Sequence, residues 1–444
     1  MKRLSVMCFG IVLLQYACAQ TSFKFSFGNG KKVKGYIPVT PQTRFSYNNG
    51  YGFDLGSEVQ AVERGGKNPL TTSFVTSSRP FYFSVKLPGG NYDVKITMGD
   101  IKGRSATTVR TECRRLMLEN YKTAYAQIAT QTITIHIRDS IIRNAKGDST
   151  GKVSLKPRER GFLHWDDLLT LEFNDSIPKI CALEISPNKT ATTIFLAGNS
   201  TVVDQDREPW AAWGQMLPRF LDPVKAVVAN YAESGETLKA FKAEKRLEKI
   251  WSMAKEGDYL LIEFAHNDQK AGGNFLDPFT TYKQTVKEWI AAARERNITP
   301  VLVTSMHRRS FDSAGHLINT LLDYPEALRQ TAGEENVALI DLNAMSKTMY
   351  EAWGEEKSIR AFVHYPANTF PHQAEPLKDN THFNAYGAYQ LASCVVNAIR
   401  QQHLPLERFI RKDIPVFDPA KPTAAENFYW PQSAFVTASR PDGN

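Results

Sequence analysis

From residue 192 onward, segments with the composition of short buried strands alternate with amphipathic segments. The strand-like segments are residues 192–197, 227–235, 258–264, 300–305 and 337–342, and the amphipathic ones are 236–253, 282–295 and 325–333. Strands that alternate with helices are joined by right-handed crossovers, which place the strands parallel in one sheet. The pattern therefore predicts an α/β domain over residues 190–404, with a parallel sheet and helices on both of its faces.

The preceding part of the chain has a different pattern. Short strand-like segments follow one another with turn residues between them, at residues 81–87, 92–97, 132–137, 168–173 and 182–185. Regular short strands without intervening helices are typical of two packed sheets, so we predict a β-sandwich over residues 21–188. Residues 405–444 include Phe428-Tyr429-Trp430, and aromatic side chains in that number do not stay exposed. We therefore predict that this C-terminal extension packs on the body of the protein.

The segment Asp379-Asn380-Thr381-His382-Phe383 has the spacing of an acid–base pair. We expect it to form a loop that leads into the helical pattern of residues 385–399 and turns both side chains toward one point. A histidine held in one tautomer by a carboxylate can take a proton from a serine hydroxyl and later return it to a leaving group. The pair therefore predicts a nucleophilic serine elsewhere in the chain.

Two serines have a suitable local sequence. Ser149, in Gly147-Asp148-Ser149-Thr150, has polar neighbours and is expected in a turn between two strands. Ser200, in Gly198-Asn199-Ser200-Thr201, follows the apolar segment 192–197. Open α/β sheets bind ligands at the carboxyl ends of their strands, which is where Ser200 is placed. We therefore assign the nucleophile to Ser200 and not to Ser149.

Two further residues follow predicted strands of the same sheet. Gly235 ends the segment 227–235, and a glycine there lets a backbone N–H approach a substrate without a side chain in the way. Asn267 follows the segment 258–264, and its amide can donate a hydrogen bond to a developing oxyanion. Both residues are therefore candidates for stabilising negative charge on a substrate carbonyl oxygen.

In order and spacing, the four blocks around Ser200, Gly235, Asn267 and Asp379/His382 resemble those of the SGNH, or GDSL-like, hydrolases. More narrowly, residues 196–202, 213–217, 264–268 and 379–383 are similar to the rhamnogalacturonan acetylesterases. The resemblance covers about residues 190–404, and its four blocks together make it specific. The β-rich part resembles the galactose-binding-like domains found before such esterases, although its motifs are weaker.

The resemblance implies a flavodoxin-like fold and a serine esterase that removes acetyl groups from pectic rhamnogalacturonan through an acyl-enzyme. Ser200 is then the nucleophile, His382 the base and Asp379 the partner that orients it. The backbone N–H groups of Ser200 and Gly235, with the side chain of Asn267, would form the oxyanion hole.

Two positions depart from the family pattern, which has aspartate in place of Asn199 and glycine in place of Ala265. Asparagine keeps the shape and one acceptor of aspartate but loses its charge, so we expect a lower rate with the chemistry retained. Alanine is tolerated unless the backbone there requires positive φ. These departures leave open a carbohydrate-binding protein with a weakened site. A general SGNH esterase or lipase is the other alternative, although no long apolar insertion that would form a lid is visible.

The chain carries 54 lysine and arginine residues against 46 aspartate and glutamate residues, a formal charge of +8. A basic balance suits an acidic polysaccharide partner, although solubility explains it equally well. Arg308 and Arg309 follow the strand at 300–305 and are candidates to bind a galacturonate carboxylate, with a solvated loop as the alternative. We expect no nucleic-acid partner, no cofactor and no metal.

The N-terminus has a basic start at Lys2-Arg3, a short apolar segment and small residues at 17–19, which is typical of a secretory signal peptide over residues 1–19. We therefore predict export to the bacterial periplasm or the medium, with a lipoprotein attached through Cys18 as the less favoured interpretation. The apolar segment is too short for a permanent transmembrane anchor. A Cys113–Cys181 disulfide and buried free thiols, Cys394 included, both stay open.

Overall fold

The computed structural model describes residues 21–442, so the predicted signal peptide at residues 1–19 lies outside the described part. Residues 23–187 form a β-sandwich, and residues 192–401 form an α/β domain. Within residues 21–442, every helix falls short of the length and apolar character that a membrane span requires.

The sandwich consists of two sheets that share one apolar core. Its strands are β1 (Phe23–Phe27), β2 (Ile37–Val39), β3 (Tyr51–Asp54), β4 (Gln60–Glu63), β5 (Ser73–Thr76), β6 (Phe81–Lys86), β7 (Gly90–Gly99), β8 (Ser105–Thr111), β9 (Arg115–Thr123), β10 (Ile128–Ile137), β11 (Ile141–Arg143), β12 (Ser149–Lys152), β13 (Leu168–Ile177) and β14 (Lys179–Pro187). One sheet has the order β10-β7-β14-β1-β2, extended by β5 and β4, and the other has the order β3-β6-β13-β8-β9, whereas β11 and β12 belong to neither and form a separate two-stranded sheet. Fully buried side chains such as Phe25, Phe83 and Leu171 fill the space between them, and the predicted sandwich is confirmed.

The α/β domain has a five-stranded parallel sheet. Its strands are β15 (Thr192–Gly198), β16 (Ala226–Asn230), β17 (Tyr259–Glu263), β18 (Thr299–Val303) and β19 (Ala338–Ile340). They lie in the order β16-β15-β17-β18-β19, which is the 2-1-3-4-5 order of flavodoxin-like folds. The predicted parallel sheet is therefore confirmed. Within it, β15 lies between β16 and β17.

Helices cover both faces of this sheet. They are α1 (Trp213–Met216), α2 (Leu238–Ala243), α3 (Arg246–Met253), α4 (Lys283–Arg294), α5 (Tyr324–Glu335), α6 (Leu342–Ser358) and α7 (Ala385–Gln401). The helices α1, α6 and α7 pack in one apolar core, and α2 to α5 pack in the other. Two separate cores on opposite faces make this a three-layer domain, as the alternating pattern predicts.

The single helix predicted over residues 236–253 is wrong, because the chain breaks between α2 and α3. Lys245 adopts a left-handed conformation, with φ of 63°, directly before α3. The turn brings the buried Arg246 guanidinium to the buried carboxylate of Glu159, with Nη1 and Oε1 2.9 Å apart. A buried ion pair with a distant segment thus outweighs the local preference for one continuous helix.

The loop predicted for Asp379 and His382 is also only partly correct. Both residues lie in β21 (Leu377–Phe383), which pairs antiparallel with β20 (Phe362–Tyr365). Val363 lies opposite Asp379, but Phe362 lies opposite Phe383, so residues 380–382 bulge out of the ladder. The bulge is the loop-like part, and it is followed by the expected helix, α7.

The C-terminal extension contacts both domains. Trp430 Nε1 donates to Glu208 Oε1 of the α/β domain at 3.0 Å, and Ser433 Oγ lies 3.0 Å from the Tyr82 hydroxyl of the sandwich. Cys113, Cys181 and Cys394 are buried free thiols, so the disulfide alternative is not formed. The extension therefore lies across the junction of the two domains.

Candidate active site

The turn that carries Ser200, the predicted nucleophile, lies directly after β15, and we call it the nucleophile turn. A Cβ at Gly198 would lie 2.5 Å from Val202 Cγ2, so the close turn requires glycine there. Ser200 follows and is 2% exposed. The side-chain oxygen of Asn199 accepts hydrogen bonds from the backbone N (3.1 Å) and the hydroxyl (2.9 Å) of Thr201. An aspartate would accept the same two bonds, so asparagine at this position preserves the geometry of the turn.

Ser200, His382 and Asp379 form a continuous chain of hydrogen bonds, which we call the relay. Ser200 Oγ lies 2.8 Å from His382 Nε2, and His382 Nδ1 lies 2.9 Å from Asp379 Oδ2. With Nδ1–H donating to the carboxylate, Nε2 is the atom that can accept the serine proton. The structure therefore brings the three predicted residues together, although 182 positions separate Ser200 from His382.

Asp379 is held firmly in its ionised form. Backbone N–H groups of Thr381 and His382 donate to its Oδ1 at 2.7 and 2.9 Å. Burial alone would raise the pKa of Asp379, but these bonds and the interaction with His382 hold that pKa at about 2. Trp210 packs edge-on against the imidazole, with ring centroids 5.8 Å apart. The carboxylate and the indole together fix the orientation of the histidine ring.

Gly235 and Asn267 lie at the same edge of the sheet as Ser200, because β16 and β17 are the two neighbours of β15. Gly235 has φ of 82°, which glycine adopts without strain. Asn267 Nδ2 donates to the Glu236 carbonyl at 3.1 Å, which ties it to the Gly235 turn. Ala265 does not have positive φ, so alanine is tolerated there. The positions suit oxyanion donors, and that role stays a prediction.

Gln205 connects the nucleophile turn to the Gly235 turn. Its Nε2 donates to the Ser200 carbonyl at 2.9 Å and lies 3.4 Å from Ser234 Oγ. The backbone carbonyl of Gln205 accepts a hydrogen bond from Gln215 Nε2 at 2.9 Å, which extends the network to α1. No local pattern singles out Gln205, because its partners are brought together only by the fold.

A buried carboxylic acid supports the nucleophile turn from behind. Glu263, the last residue of β17, is 1% exposed and accepts from Trp213 Nε1 at 2.6 Å. Its other oxygen lies 2.9 Å from Thr201 Oγ1, next to Ser200. Burial raises the pKa of Glu263 to about 7, even though these hydrogen bonds lower it. Sequence reasoning did not single out Glu263. The related signal was the segment that begins at Trp213, which is noticed only through its similarity to the rhamnogalacturonan acetylesterases.

Two more acids flank the Gly235 turn. Burial raises the pKa of Glu233 and of Glu236 to about 7, although Arg246 and Lys156 act in the opposite direction. Arg158 Nη2 donates to Glu233 Oε1 at 2.8 Å and to the Ser234 carbonyl at 2.8 Å. Burial therefore favours the neutral form of both acids beside the turn, and the neighbouring cations oppose it.

The two predicted substrate-binding arginines contact protein groups around the relay. Arg308 Nη2 donates to the His266 carbonyl at 3.1 Å, and Arg309 Nε donates to Ser358 Oγ at 3.0 Å. The backbone N of Arg309 donates to the Asn380 carbonyl at 2.7 Å, beside Asp379. Both residues thus lie close to the site, and their contact with a substrate carboxylate stays a prediction.

A cleft of about 300 Å³ lies beside the site and is lined by residues that contact the relay, although not by Ser200, His382 or Asp379 themselves. Its walls include Gln205, Trp210 and Ser234, which contact the Ser200 turn, the His382 ring and the Gly235 turn respectively. Within residues 21–442, no group of three or more His, Cys, Asp or Glu side chains is arranged to hold a metal ion. The chemistry that this arrangement supports is acid–base-assisted attack by a serine.

The chain matches two family models. Residues 196–389 match the GDSL-like lipase/acylhydrolase family, and residues 23–136 match the galactose-binding-like domain of beta-agarase/YXIM esterase-like proteins. The first match lies within the α/β domain and the second lies within the sandwich.

The chain is also similar to individual proteins, and the first relative named here shows the family. Rhamnogalacturonan acetylesterase RhgT of Bacillus subtilis is 40% identical over 221 residues, which are 49% of this chain and 94% of that protein. The uncharacterized esterase YxiM of the same bacterium is 26% identical over 409 residues, 89% of this chain and 95% of that protein. The crystal structure of YxiM has 24% identity and a TM-score of 0.46, and covers 86% of this chain and 99% of that one. The chain therefore belongs to the SGNH, or GDSL-like, hydrolases and is a carboxylic ester hydrolase similar to the rhamnogalacturonan acetylesterases.

Proposed function

We propose that this protein is a serine esterase that removes O-acetyl groups from an acidic pectic polysaccharide, rhamnogalacturonan, through an acyl-enzyme intermediate. The observation that carries the proposal is the relay, in which Ser200 Oγ, His382 and Asp379 are joined at 2.8 and 2.9 Å. A serine with its base and the partner of that base already in place is the arrangement that acyl transfer requires.

In the acylation step, Ser200 Oγ attacks the acetyl carbonyl carbon while His382 Nε2 takes the hydroxyl proton. The carbonyl oxygen gains negative charge and is stabilised by the backbone N–H groups of Ser200 and Gly235 and by the amide of Asn267. The imidazolium then gives its proton to the sugar oxygen as the ester C–O bond breaks. The products of this step are the free sugar hydroxyl and acetyl-Ser200.

In the deacylation step, a water molecule takes the place of the sugar. His382 removes a proton from the water, whose oxygen attacks the acetyl carbon, and then returns that proton to Ser200 Oγ. Acetate leaves and the enzyme is regenerated. Asp379 stays ionised throughout, since its pKa is about 2, and stabilises the imidazolium in both steps.

Two observations support a pectic substrate. A relative that is 40% identical along 94% of its own length is named a rhamnogalacturonan acetylesterase. The formal charge of +8, or +6 once Lys2 and Arg3 are removed with the predicted signal peptide, favours association with a polyanion, and rhamnogalacturonan contains uronic acids. The two arginines that follow β18 are the proposed contacts for a uronate carboxylate.

Acetate release from acetylated rhamnogalacturonan, homogalacturonan and xylan tests the proposal, with Ser200→Ala as the inactive control. We expect the highest kcat/KM on rhamnogalacturonan, and faster hydrolysis of p-nitrophenyl acetate than of the butyrate. A preference for butyrate would favour the general esterase or lipase. Failure to hydrolyse any of these esters would favour the carbohydrate-binding alternative.

We also propose that the protein is exported, as the composition of residues 1–19 indicates, because its polymeric substrate does not enter a cell intact. Fractionation of expressing cells, followed by N-terminal sequencing of the mature protein, tests this proposal. A mature protein that retains residue 1 in the cytoplasmic fraction would contradict it.

A further inference from the structure

The last described residues of the chain, 433–442, lead from the sandwich into the cleft, and we call them the C-terminal strap. The strap is anchored before it reaches the relay, because the Phe435 carbonyl accepts from Glu208 N at 3.0 Å and Thr437 N donates to the Glu208 carbonyl at 2.7 Å. Residues 437 and 439–442 then line the cleft beside Trp210 and Ser234. The strap therefore approaches the reacting groups from outside the hydrolase sheet.

The strap contacts the base side of the site through Arg440. Its Nε lies 3.2 Å from Asp379 Oδ2, the oxygen that also accepts from His382 Nδ1 at 2.9 Å. Arg440 Nη2 donates in addition to the Lys378 carbonyl at 2.9 Å. A guanidinium carried by the strap thus shares the carboxylate oxygen that orients the base.

The strap contacts the oxyanion side through Asp442, which forms an ion pair with Arg158. Arg158 in turn holds Glu233 and the Ser234 carbonyl, both at 2.8 Å, next to Gly235. Two residues apart on the strap, Arg440 and Asp442 therefore connect opposite sides of the cleft. The remaining volume of about 300 Å³ is at the lower end of the range for ligand sites.

We propose that the C-terminal strap is a working part of the active site, with Arg440 as a positioning residue that acts through Asp379, and with the strap limiting the cleft to short or terminal pieces of an acetylated polysaccharide. The second half of this inference rests on the proposed function, while the role of Arg440 needs only an ester as substrate.

The effect of Arg440 follows from its charge. A cation beside Asp379 offsets part of the negative charge with which that carboxylate stabilises the imidazolium formed on His382 during catalysis, so removal of the cation strengthens that stabilisation. The other ionisable groups around the pair are Arg308, whose charge also acts on Asp379, and His266 and His364, whose pKa values are lowered by burial and which are therefore neutral at neutral pH.

The pH dependence of p-nitrophenyl acetate hydrolysis tests Arg440. In Arg440→Gln, we expect the acid limb of the kcat/KM profile to move up by roughly half to one pH unit, from loss of a nearby cation at intermediate dielectric. Arg440→Lys keeps the cation, so its acid limb should stay close to that of the wild type. Arg408→Gln, an exposed arginine of the same extension that lies against Phe409, is the matched control and should leave the profile unchanged. An Arg440→Gln profile that overlays the wild type overturns the positioning role.

A chain that ends at Ala438 tests the strap as a wall, because it keeps the anchors at Phe435 and Thr437. For the acetylated polysaccharide that the wild type hydrolyses, we expect the ratio of kcat/KM on the polymer to that on its oligosaccharides to rise several-fold. Asp442→Asn, which opens only the Arg158 contact, should move the ratio in the same direction. An unchanged ratio in both variants, at an unchanged unfolding midpoint, overturns the wall.

The proposed substrate and the proposed role of the C-terminal strap can be contradicted independently. Absence of acetate release from rhamnogalacturonan would overturn the proposed substrate but leave the Arg440 result on p-nitrophenyl acetate valid. A normal preference for rhamnogalacturonan, with wild-type behaviour of the Arg440 and strap variants, would overturn only the strap.

Discussion

At the residue scale, the hydroxyl of Ser200 and the ring of His382 constrain the chemistry most directly. Ser200→Ala removes the proposed nucleophile, so we expect turnover of p-nitrophenyl acetate to fall by a factor of about 10⁴ or more. Ser149→Ala is the matched control, because Ser149 is an exposed residue at the start of β12 and should behave as the wild type. Labelling by a serine-directed covalent probe at Ser149 would contradict the assignment.

His382→Ala should be as damaging as Ser200→Ala, and the double variant should be little slower than either, because the residues act as a unit. Asp379→Asn should cost less than loss of the histidine, since the amide still occupies the place beside Nδ1. The comparison requires the turnover of all four variants on one acetyl ester. If His382→Ala kept most of the wild-type rate, the relay would not be the catalytic group.

Glu263 carries a prediction on pH. Its pKa is raised from the usual 4.5 to about 7 by burial, so the folded state favours the protonated acid. Its contribution to the free energy of unfolding is fully present below pH 4.5 and is lost as pH rises through about 7, by up to about 3 kcal/mol. Glu263→Gln resembles the neutral acid, with its amide donating to Thr201 and its oxygen accepting from Trp213.

We therefore expect Glu263→Gln to gain stability relative to the wild type between pH 5 and pH 8, as measured by urea unfolding at each pH. Activity should be retained, because the Thr201 contact that supports the Ser200 turn is preserved. A difference in unfolding free energy that does not change with pH would show that Glu263 does not titrate in this range.

At the scale of elements, the break between α2 and α3 gives a prediction on backbone strain. Lys245 has φ of 63°, and a left-handed conformation costs a side-chain-bearing residue roughly 1–2 kcal/mol. Lys245→Gly should therefore raise the free energy of unfolding by about 0.5–1 kcal/mol, after the entropy of glycine in the unfolded chain is subtracted. Lys242→Gly, inside α2, is the control and should lower it by about 1 kcal/mol in a chemical denaturation experiment. Equal losses in both variants would contradict the strain.

At the scale of the whole molecule, a buried ion pair joins the sandwich to the hydrolase domain. Arg115 of β9 binds Asp204, which follows the nucleophile turn, at 2.7 Å, and both side chains are at most 1% exposed. Asp204 also accepts from Asn230 Nδ2 at 2.8 Å. The sandwich therefore supports the loop on which the site is built.

Arg115→Met leaves Asp204 buried without its cation, so we expect a loss of about 3–5 kcal/mol in the free energy of unfolding. Lys95→Met, which breaks the exposed contact with Glu184, should cost less than about 1 kcal/mol and is the matched control. Guanidinium unfolding curves followed by tryptophan fluorescence compare the two. Similar small losses would show that the interdomain pair does not stabilise the molecule.

Much of the fold could be predicted from the sequence, because apolar periodicity reports which faces are buried. The strand before Ser200 and the helix after His382 are found near their predicted positions. The break at Lys245 was not predictable in this way, since it depends on Glu159, a partner 87 positions from Arg246. Helix α6 also has no counterpart among the predicted elements.

Some features of the candidate site could likewise be predicted from the sequence, and others could not. The sequence by itself determined the alternation of strands and helices in the hydrolase domain and made Ser200, Asp379 and His382 the candidates for catalysis, because these follow from local pattern and from motifs whose chemistry demands particular residue types. The relay distances, the support from Glu263 and Gln205, and the contact of Arg440 with Asp379 were decided only by the tertiary structure. The physical reason is that hydrogen bonds and ion pairs join groups that are close in space, and local sequence does not encode which distant groups become neighbours.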